Sequence, residues 1–135
     1  MSNTPSTHST VAPASDSAPP RGEREILLDA ERLDVYRVAL EFQSRAAGLA
    51  LRADAVVRDQ LRRASLSIVL NIAEGAGQRS RAQTRHLYAI ARGSAMESAA
   101  ILDVLRSLGV ASATEARALA VRIVQMLTRL DQALA

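Results

Sequence analysis

Apolar side chains recur every three or four residues along most of this chain, the spacing that gathers them on one side of an α-helix. The first such segment predicts a helix over about residues 29–51, with Asp29 as its N-cap. A second segment follows Asp54, another candidate N-cap. The first apolar stripe consists of Val35, Ala39, Phe42, Ala46 and Leu49, and the second of Val57, Leu61, Ala64, Ile68, Asn71 and Ile72.

Gly75 and Gly77 interrupt the second pattern and predict its end, because glycine adopts a left-handed backbone at little cost. Ser80 and Gln83 then have the spacing of a capping box, in which each side chain bonds the other residue's backbone N–H. They predict a third helix of about 28 residues that ends at Gly109. Its apolar stripe consists of Leu87, Ala91, Ser94, Ser98, Ile101, Leu105 and Leu108.

A fourth helix is predicted after Ser112 and Glu115, which form a second capping box. Its apolar stripe consists of Leu119, Ile123, Met126, Leu127, Leu130 and Leu134. Four amphipathic helices with short connections predict an all-α fold, an antiparallel up-and-down four-helix bundle.

The N-terminal segment has a different composition from the rest. All four prolines lie within the first 20 residues, among serine, threonine and alanine. Such a segment cannot bury enough apolar surface to offset its chain entropy. We therefore predict a disordered leader over residues 1–25 and the bundle over residues 26–135.

Composition argues against several classes of function. The chain has no cysteine and only two histidines, so thiolate and His-rich metal sites are excluded. No histidine and carboxylate are spaced to activate a serine, and no phosphate-binding loop motif occurs. We expect a non-enzymatic protein with no catalytic residues, no cofactor and no metal. No apolar run is long enough for a membrane span and no signal peptide is evident, so we expect a cytoplasmic protein.

Positive charge is concentrated in the hairpin formed by the second and third helices. All 17 basic residues are arginine, and residues 58–92 hold seven of them against two acids, Asp59 and Glu74. Arginine pairs well with phosphate oxygens, so these seven are candidate nucleic-acid contacts: Arg58, Arg62, Arg63, Arg79, Arg81, Arg85 and Arg92. The alternative is a solvated face with local ion pairs, each contributing about 0 to 1 kcal/mol.

A helical hairpin that turns near residues 77 and 78 predicts which of these residues lie opposite each other. Arg92 would lie level with Arg63, and Arg62 with Gly93. Glu74 would cap or pair near the turn with Arg81 or Arg85. Glu97 would lie level with Arg58.

Three residues are candidates for a structural role in packing or assembly. Asn71 occupies an otherwise apolar stripe, where a buried amide often fixes helix register or oligomeric state. Gly93 lies in the middle of the third helix, where glycine costs about 1 kcal/mol relative to alanine. We interpret it as a place where another helix passes closely. Glu74 is the third candidate, through its predicted pairing beside the turn.

Three sequence blocks resemble a known family. LDVYRVALEF in the first helix, QLRRASLSIVLNIAEGAG in the second and IARGSAMES in the third cover roughly Leu33 to Leu108. They resemble the family of proteins encoded in intervening sequences of bacterial 23S rRNA genes. That family also includes the accessory variability protein of diversity-generating retroelements. The segment RSRAQTRH, which has no acid, and the long leader depart from the family pattern.

The resemblance implies a four-helix bundle that assembles as a homopentamer. The retroelement member is a basic ring that binds nucleic acid and a reverse transcriptase. We therefore expect a homo-oligomeric basic adaptor or accessory protein that contacts nucleic acid, with a reverse transcriptase as a candidate partner. The alternative is a protein-only scaffold or assembly module with no role in nucleic-acid binding.

Overall fold

The computed structural model describes residues 29–135. The predicted leader lies outside these residues, so its disorder stays a prediction. A 3₁₀ turn at Asp29–Arg32 precedes four α-helices: α1 (Asp34–Ala50), α2 (Ala55–Ala76), α3 (Arg81–Ser107) and α4 (Ala113–Leu134). Residues 29–135 contain no β-strand, and the all-α prediction is confirmed.

The helices form an antiparallel up-and-down bundle. Each helix packs against the next one in the chain, and α1 also packs against α4, which closes the bundle. Connections of only a few residues reverse the chain between successive helices, as the pattern predicts.

The predicted apolar stripes form the core. Phe42 of α1, Ile68 of α2 and Ile123 of α4 are fully buried, and so are many alanines between them. Removing these side chains from water is the main stabilising contribution, and the alanines let the helices approach closely. One stripe position is wrong. Leu108 is exposed, because α3 has already ended at Ser107.

Two predicted N-caps and one predicted C-terminal glycine are confirmed. The Asp54 side chain accepts a hydrogen bond from the Val57 backbone N–H at 3.0 Å, and the Ser80 hydroxyl accepts one from Gln83 at 3.3 Å. Gly109 has a φ of +91°, and the next backbone N–H donates to the carbonyl of Leu105 at 3.0 Å. This is the Schellman arrangement that satisfies carbonyls at the end of a helix.

The other two predicted caps are wrong. Asp29 lies in the 3₁₀ turn, and α1 begins five residues later, at Asp34. Ser112 has helical backbone angles and caps nothing. Its hydroxyl instead accepts a hydrogen bond from Arg52 at 3.3 Å, and Glu115 pairs with Arg45 at 3.1 Å. Both side chains therefore join α4 to the end of α1.

The prediction that the glycines end α2 is confirmed at Gly77, which is its C-cap, but the predicted left-handed backbone is wrong. Neither has a left-handed backbone, and α2 continues through Gly75 to Ala76. Gly75 is buried, and a Cβ built on it would lie 2.8 Å from two ring carbons of Tyr88. The glycine is needed because α3 passes closely at this point.

The later end of α2 changes the register of the hairpin. The hydroxyls of Ser67 and Ser94 are 2.8 Å apart, and Arg63 lies 3.9 Å from Glu97. Arg63 is therefore level with Glu97 and not with Arg92, and the other predicted level pairs shift in the same way. The reason is that the turn is formed by residues 77–80, after the helix has run past Gly75.

Candidate nucleic-acid interface

The seven candidate arginines do not share one face. Three belong to α2, one to the connector between α2 and α3, and three to α3: Arg58, Arg62 and Arg63, then Arg79, then Arg81, Arg85 and Arg92. The bundle distributes them over three parts of its surface, and each part has a different degree of charge neutralisation.

Arg85 and Arg92 face α4 and not α2. Arg85 Nε donates to the Asp131 carboxylate at 2.8 Å, and a second guanidinium nitrogen reaches its other oxygen at 3.4 Å. Arg92 Nε donates to the Thr128 hydroxyl at 2.9 Å. The predicted pairing of Arg85 with Glu74 is therefore wrong, because Asp131 neutralises Arg85 instead.

The Arg85–Asp131 pair also changes the acidity of both groups. The hydrogen bond from Arg85 holds the pKa of the Asp131 carboxyl below its ordinary value, and the charges of Arg85 and Arg92 add to this effect. Partial desolvation of the carboxyl acts in the opposite direction. The same hydrogen bond raises the pKa of Arg85. Each side chain of the pair remains nearly half exposed, so solvent screens the interaction.

The α2 arginines divide into one paired and two unpaired residues. Arg63 lies beside Glu97, and it also donates to the Gln60 side chain. Arg62 is exposed and Arg58 is half-buried. Within residues 29–135 neither has a carboxylate oxygen within 4 Å. The prediction that Glu97 lies level with Arg58 is wrong, because Glu97 lies beside Arg63.

The connector brings Arg79 and Arg81 together at one end of the bundle. Both are exposed and flank Ser80, the N-cap of α3. The first turn of α3 is held against the end of α2, because the Thr84 hydroxyl donates to the Gly75 carbonyl at 2.9 Å. These contacts fix where the two guanidinium groups leave the backbone. We call Arg79, Arg81 and the N-terminus of α3 the arginine end.

The arginine end is the least neutralised of the three parts. Among residues 29–30 and 33–135, neither Arg79 nor Arg81 has a carboxylate oxygen within 4 Å, and the first turn of α3 contains no acid. The N-terminus of a helix carries a partial positive charge from its free N–H groups. Two guanidinium groups therefore reinforce the helix dipole there, and the local potential favours an anion.

A shallow cleft of about 390 Å³ adjoins the arginine end. Its lining combines polar groups of the connector with apolar side chains from the end of α4, namely Asp29, Leu33, Ala76, Gln78, Arg79, Ser80, Arg81, Thr84, Tyr88, Leu130, Ala133 and Leu134. The connector, the start of α1 and the end of α4 therefore meet at this end of the bundle.

Sequence reasoning missed the arginines of α1 and α4. Arg37, Arg122 and Arg129 are exposed, and none has a carboxylate oxygen within 4 Å once the side chains of Glu31 and Arg32 are set aside. Counting charge by segment hides them, because α1 and α4 are distant in sequence and adjacent in space. The helical-bundle prediction itself, which places α1 beside α4, was the signal that could have found them.

Asn71 is half-buried, at the edge of the α2 stripe. Its side-chain amide donates to the Ser67 carbonyl at 2.8 Å and lies 3.1 Å from the Ser67 hydroxyl. That hydroxyl in turn contacts Ser94 of α3. Asn71 thus supports a polar contact between α2 and α3, and its role in setting the oligomeric state stays a prediction.

Glu74 does not take the predicted role of pairing with Arg81 or Arg85. Its side chain is exposed and lies within 4 Å of no cationic nitrogen among residues 29–30 and 33–135. Only its backbone carbonyl takes part in the turn, accepting from the Gln78 side chain at 3.1 Å. The shifted register explains the difference.

Gly93 is exposed, and a Cβ built on it would meet no atom within 4 Å. The prediction that another helix passes closely is therefore wrong within the protomer. The cost of a mid-helix glycine is not offset by any contact in residues 29–135.

Among the described residues, no group of three or more His, Asp or Glu side chains is arranged to hold a metal ion. None of helices α1–α4 is long and apolar enough to cross a membrane. Burial raises the pKa of the Tyr88 hydroxyl. Two carbons of the Tyr88 ring lie at the contact with Gly75.

Most of the chain matches the model of a known protein family. The family model described as 23S rRNA-intervening sequence protein matches residues 31–132, which include α1, α2, α3 and nearly all of α4. A search of curated proteins gives no match.

Proposed function

Because this chain belongs to the family of 23S rRNA-intervening sequence proteins, we propose that it is a non-enzymatic, homo-oligomeric basic bundle that contacts nucleic acid. The arginine end is the principal contact surface, and Arg58 and Arg62, which lie closer to the other end of α2, are secondary contacts. In this proposal the protein binds the nucleic acid and changes neither partner chemically.

The observation that carries the proposal is the unneutralised charge of Arg79 and Arg81 beside the N-terminus of α3. A guanidinium group offers two parallel N–H donors to phosphate oxygens. Binding such a group to a nucleic acid also releases condensed counterions, which favours the complex at low salt. Fixed donors at a helix N-terminus suit a phosphate better than a carboxylate-rich protein surface of variable shape.

The binding we propose is largely independent of base sequence. Phe42 and Tyr88 are buried and Tyr36 is half-buried, so residues 29–135 expose no aromatic ring fully for stacking on bases. The exposed arginines instead suit the phosphate backbone. Duplex and single-stranded nucleic acids should therefore both bind, with affinity set by charge density.

Self-association strengthens this proposal. A single arginine end provides few phosphate contacts, and its affinity alone would be modest. An assembly repeats the end once per copy, and linked sites bind a long polyanion far more tightly than one site does. The resemblance described above favours a homopentamer, and it also suggests a reverse transcriptase as a partner protein.

The experiment is a salt titration of binding to fluorescently labelled tRNA and to a labelled DNA duplex, followed by anisotropy. We expect affinity to fall steeply with salt, with a slope of roughly −0.7 to −0.9 per phosphate contacted. Arg81→Gln should weaken binding and flatten the slope. Arg106→Gln is the matched control, because it removes the same charge from the other end of α3.

Two outcomes would contradict the proposal. Retention of both ligands that does not change between low and high salt would rule out phosphate contacts as the source of affinity. Equal effects of Arg81→Gln and Arg106→Gln would mean that the arginine end has no special role, even if the protein binds nucleic acid through its net charge.

A protein-only scaffold is the second candidate function. It is favoured by the ion pairs that neutralise Arg63 and Arg85 and by the apolar side chains exposed along α2 and α3. In that case reversing the charges of Arg79 and Arg81 would leave the function intact. Assembly without any affinity for tRNA or duplex DNA, at low salt and high protein concentration, would favour this alternative.

A further inference from the structure

We infer that the outer face of the α2–α3 hairpin is the surface on which a second copy of this chain docks, with Leu66 and Leu70 of one copy seated in a groove centred on Gly93 of the next. The inference rests on the self-association in the proposed function and identifies the surface that would carry it.

The first observation is an unpartnered apolar surface. Leu66 and Leu70 of α2 are 47% and 55% exposed, and Ile90 and Met96 of α3 are 41% and 52% exposed. None of the large apolar side chains exposed in residues 29–135 belongs to α4. Contiguous exposed apolar side chains of this size mark a contact surface more often than a solvated one.

The second observation is the shape of α3 on this face. Four exposed residues with small side chains or none share one side of α3 near His86 and Glu97, and we interpret the space above them as a groove: Ala82, Ala89, Gly93 and Ala100. No atom lies within 4 Å of a Cβ built on Gly93. Helices pack by inserting the side-chain ridge of one into such a groove of another. The missing side chain lets a second backbone approach.

The ridge formed by Leu66 and Leu70 and the groove around Gly93 lie side by side, at the same level along the hairpin. The 2.8 Å contact between the Ser67 and Ser94 hydroxyls fixes this register. Leu66 adjoins Ser67 in the chain, and Gly93 adjoins Ser94. The face therefore carries both halves of a helix–helix contact, and two copies of it are complementary to each other. Reciprocal use of both halves would stop at a dimer, whereas in a closed ring the ridge of each copy meets the groove of the next.

The charges of the face favour a second copy over a polyanion. Arg63 and Glu97 both lie on this face, and their 3.9 Å separation is long for an ion pair. Arg62, one helical turn before Leu66, and Glu74 are also exposed on α2, so each copy offers cations and carboxylates that can exchange partners across a contact between copies. A nucleic acid would meet Glu97 and Glu74 here, and it would leave the apolar side chains in water.

The test is sedimentation velocity of the full chain with a matched pair of glycine variants. Gly93→Gln places a side chain in the groove, and Gly48→Gln makes the same change on α1, where a Cβ also meets nothing within 4 Å. We expect the wild-type protein and Gly48→Gln to sediment as the same assembly. Gly93→Gln should sediment as a single chain and keep full helical circular dichroism, since replacing a helical glycine favours the helix.

An assembled, folded Gly93→Gln variant would overturn the inference and leave the proposed self-association standing. A wild-type protein that sediments as a single chain at every concentration would overturn both, and tRNA binding by Arg81→Gln would still report separately on the arginine end. Should Gly93→Gln fail to fold, Leu70→Gln replaces it, because Leu70 is already exposed. An assembled Leu70→Gln variant would then overturn the inference.

Discussion

The ring of Tyr88 lies so close to the backbone of Gly75 that a Cβ at Gly75 would stand 2.8 Å from two of its carbons. Real Cβ atoms essentially never approach a neighbour this closely. Tyr88 is buried and cannot swing away without disturbing the contact between α2 and α3. A position that looks like a helix stop in the sequence is therefore a contact between two helices.

Gly75→Ala should destabilise the protein by about 1 to 3 kcal/mol, the usual effect of overpacking a core. The result runs against helix propensity, which favours alanine over glycine by about 1 kcal/mol. The measurement is the free energy of unfolding in urea. Gly48→Ala is the control, and we expect it to stabilise the protein, since nothing lies near its new methyl group. Equal stabilisation by both variants would contradict the close contact.

The Ser67–Ser94 hydroxyl contact should appear as an energetic coupling between α2 and α3. We expect Ser67→Ala and Ser94→Ala to be non-additive by about 1 kcal/mol, the typical net contribution of one hydrogen bond. The measurement is a double-mutant cycle of unfolding free energies. The pair Ser67→Ala and Ser107→Ala is the control, since Ser107 bonds only within its own helix. Additive effects of Ser67→Ala and Ser94→Ala would show that the contact does not fix the register.

Acid should weaken the wild-type protein more than Asp131→Asn. The pKa of Asp131 is lowered in the folded protein, chiefly by the hydrogen bond from Arg85. The pair's contribution to stability is therefore present above the ordinary carboxyl pKa and is lost as pH falls from there through the lowered value. The measurement compares unfolding free energies of both proteins at about pH 7 and about pH 3. The effect should be small because the pair is exposed, and identical pH profiles would contradict it.

Asp131→Asn should also make nucleic-acid binding more dependent on salt. Removing this carboxylate leaves Arg85 unneutralised on α3, so one more guanidinium group can pair with a phosphate. We expect tighter binding to labelled tRNA at low salt, with a slope of log affinity against log salt steeper by about 0.7. Asp103→Asn is the control, because it frees Arg117 away from the arginine end. An unchanged slope in Asp131→Asn would place Arg85 outside the contact surface.

The fold was accessible from the sequence because the apolar spacing is regular. Phe42, Ile68 and Ile123 each lie on a stripe that the sequence predicts, and each is buried. Caps with local partners were also predictable, as at Asp54 and Ser80. Predicted caps were wrong where a side chain distant in sequence binds the capping group instead. The Ser112 hydroxyl is taken by Arg52, which is 60 residues earlier in the chain.

The charges of the candidate site were less accessible, because their partners are distant in sequence. Arg85 bonds Asp131, 46 residues away, and no local pattern indicates that pair. The register error arose from one residue, Gly75, whose need for close packing looks the same in sequence as a need for a left-handed backbone. Arg79 and Arg81 lie together because both flank the same cap.

The meeting of Asp29, Leu134 and the α2–α3 connector around one cleft has a practical consequence for handling the protein. An affinity tag or fluorescent fusion attached at Ala135, directly after α4, would protrude beside Arg79 and Arg81 and shield them from a phosphate chain. A dye on a cysteine introduced at Ala53 or Ala111, in the two connections at the opposite pole, would leave that approach open. The position of a label therefore affects the measured nucleic-acid affinity, and tag-free protein is the appropriate reference.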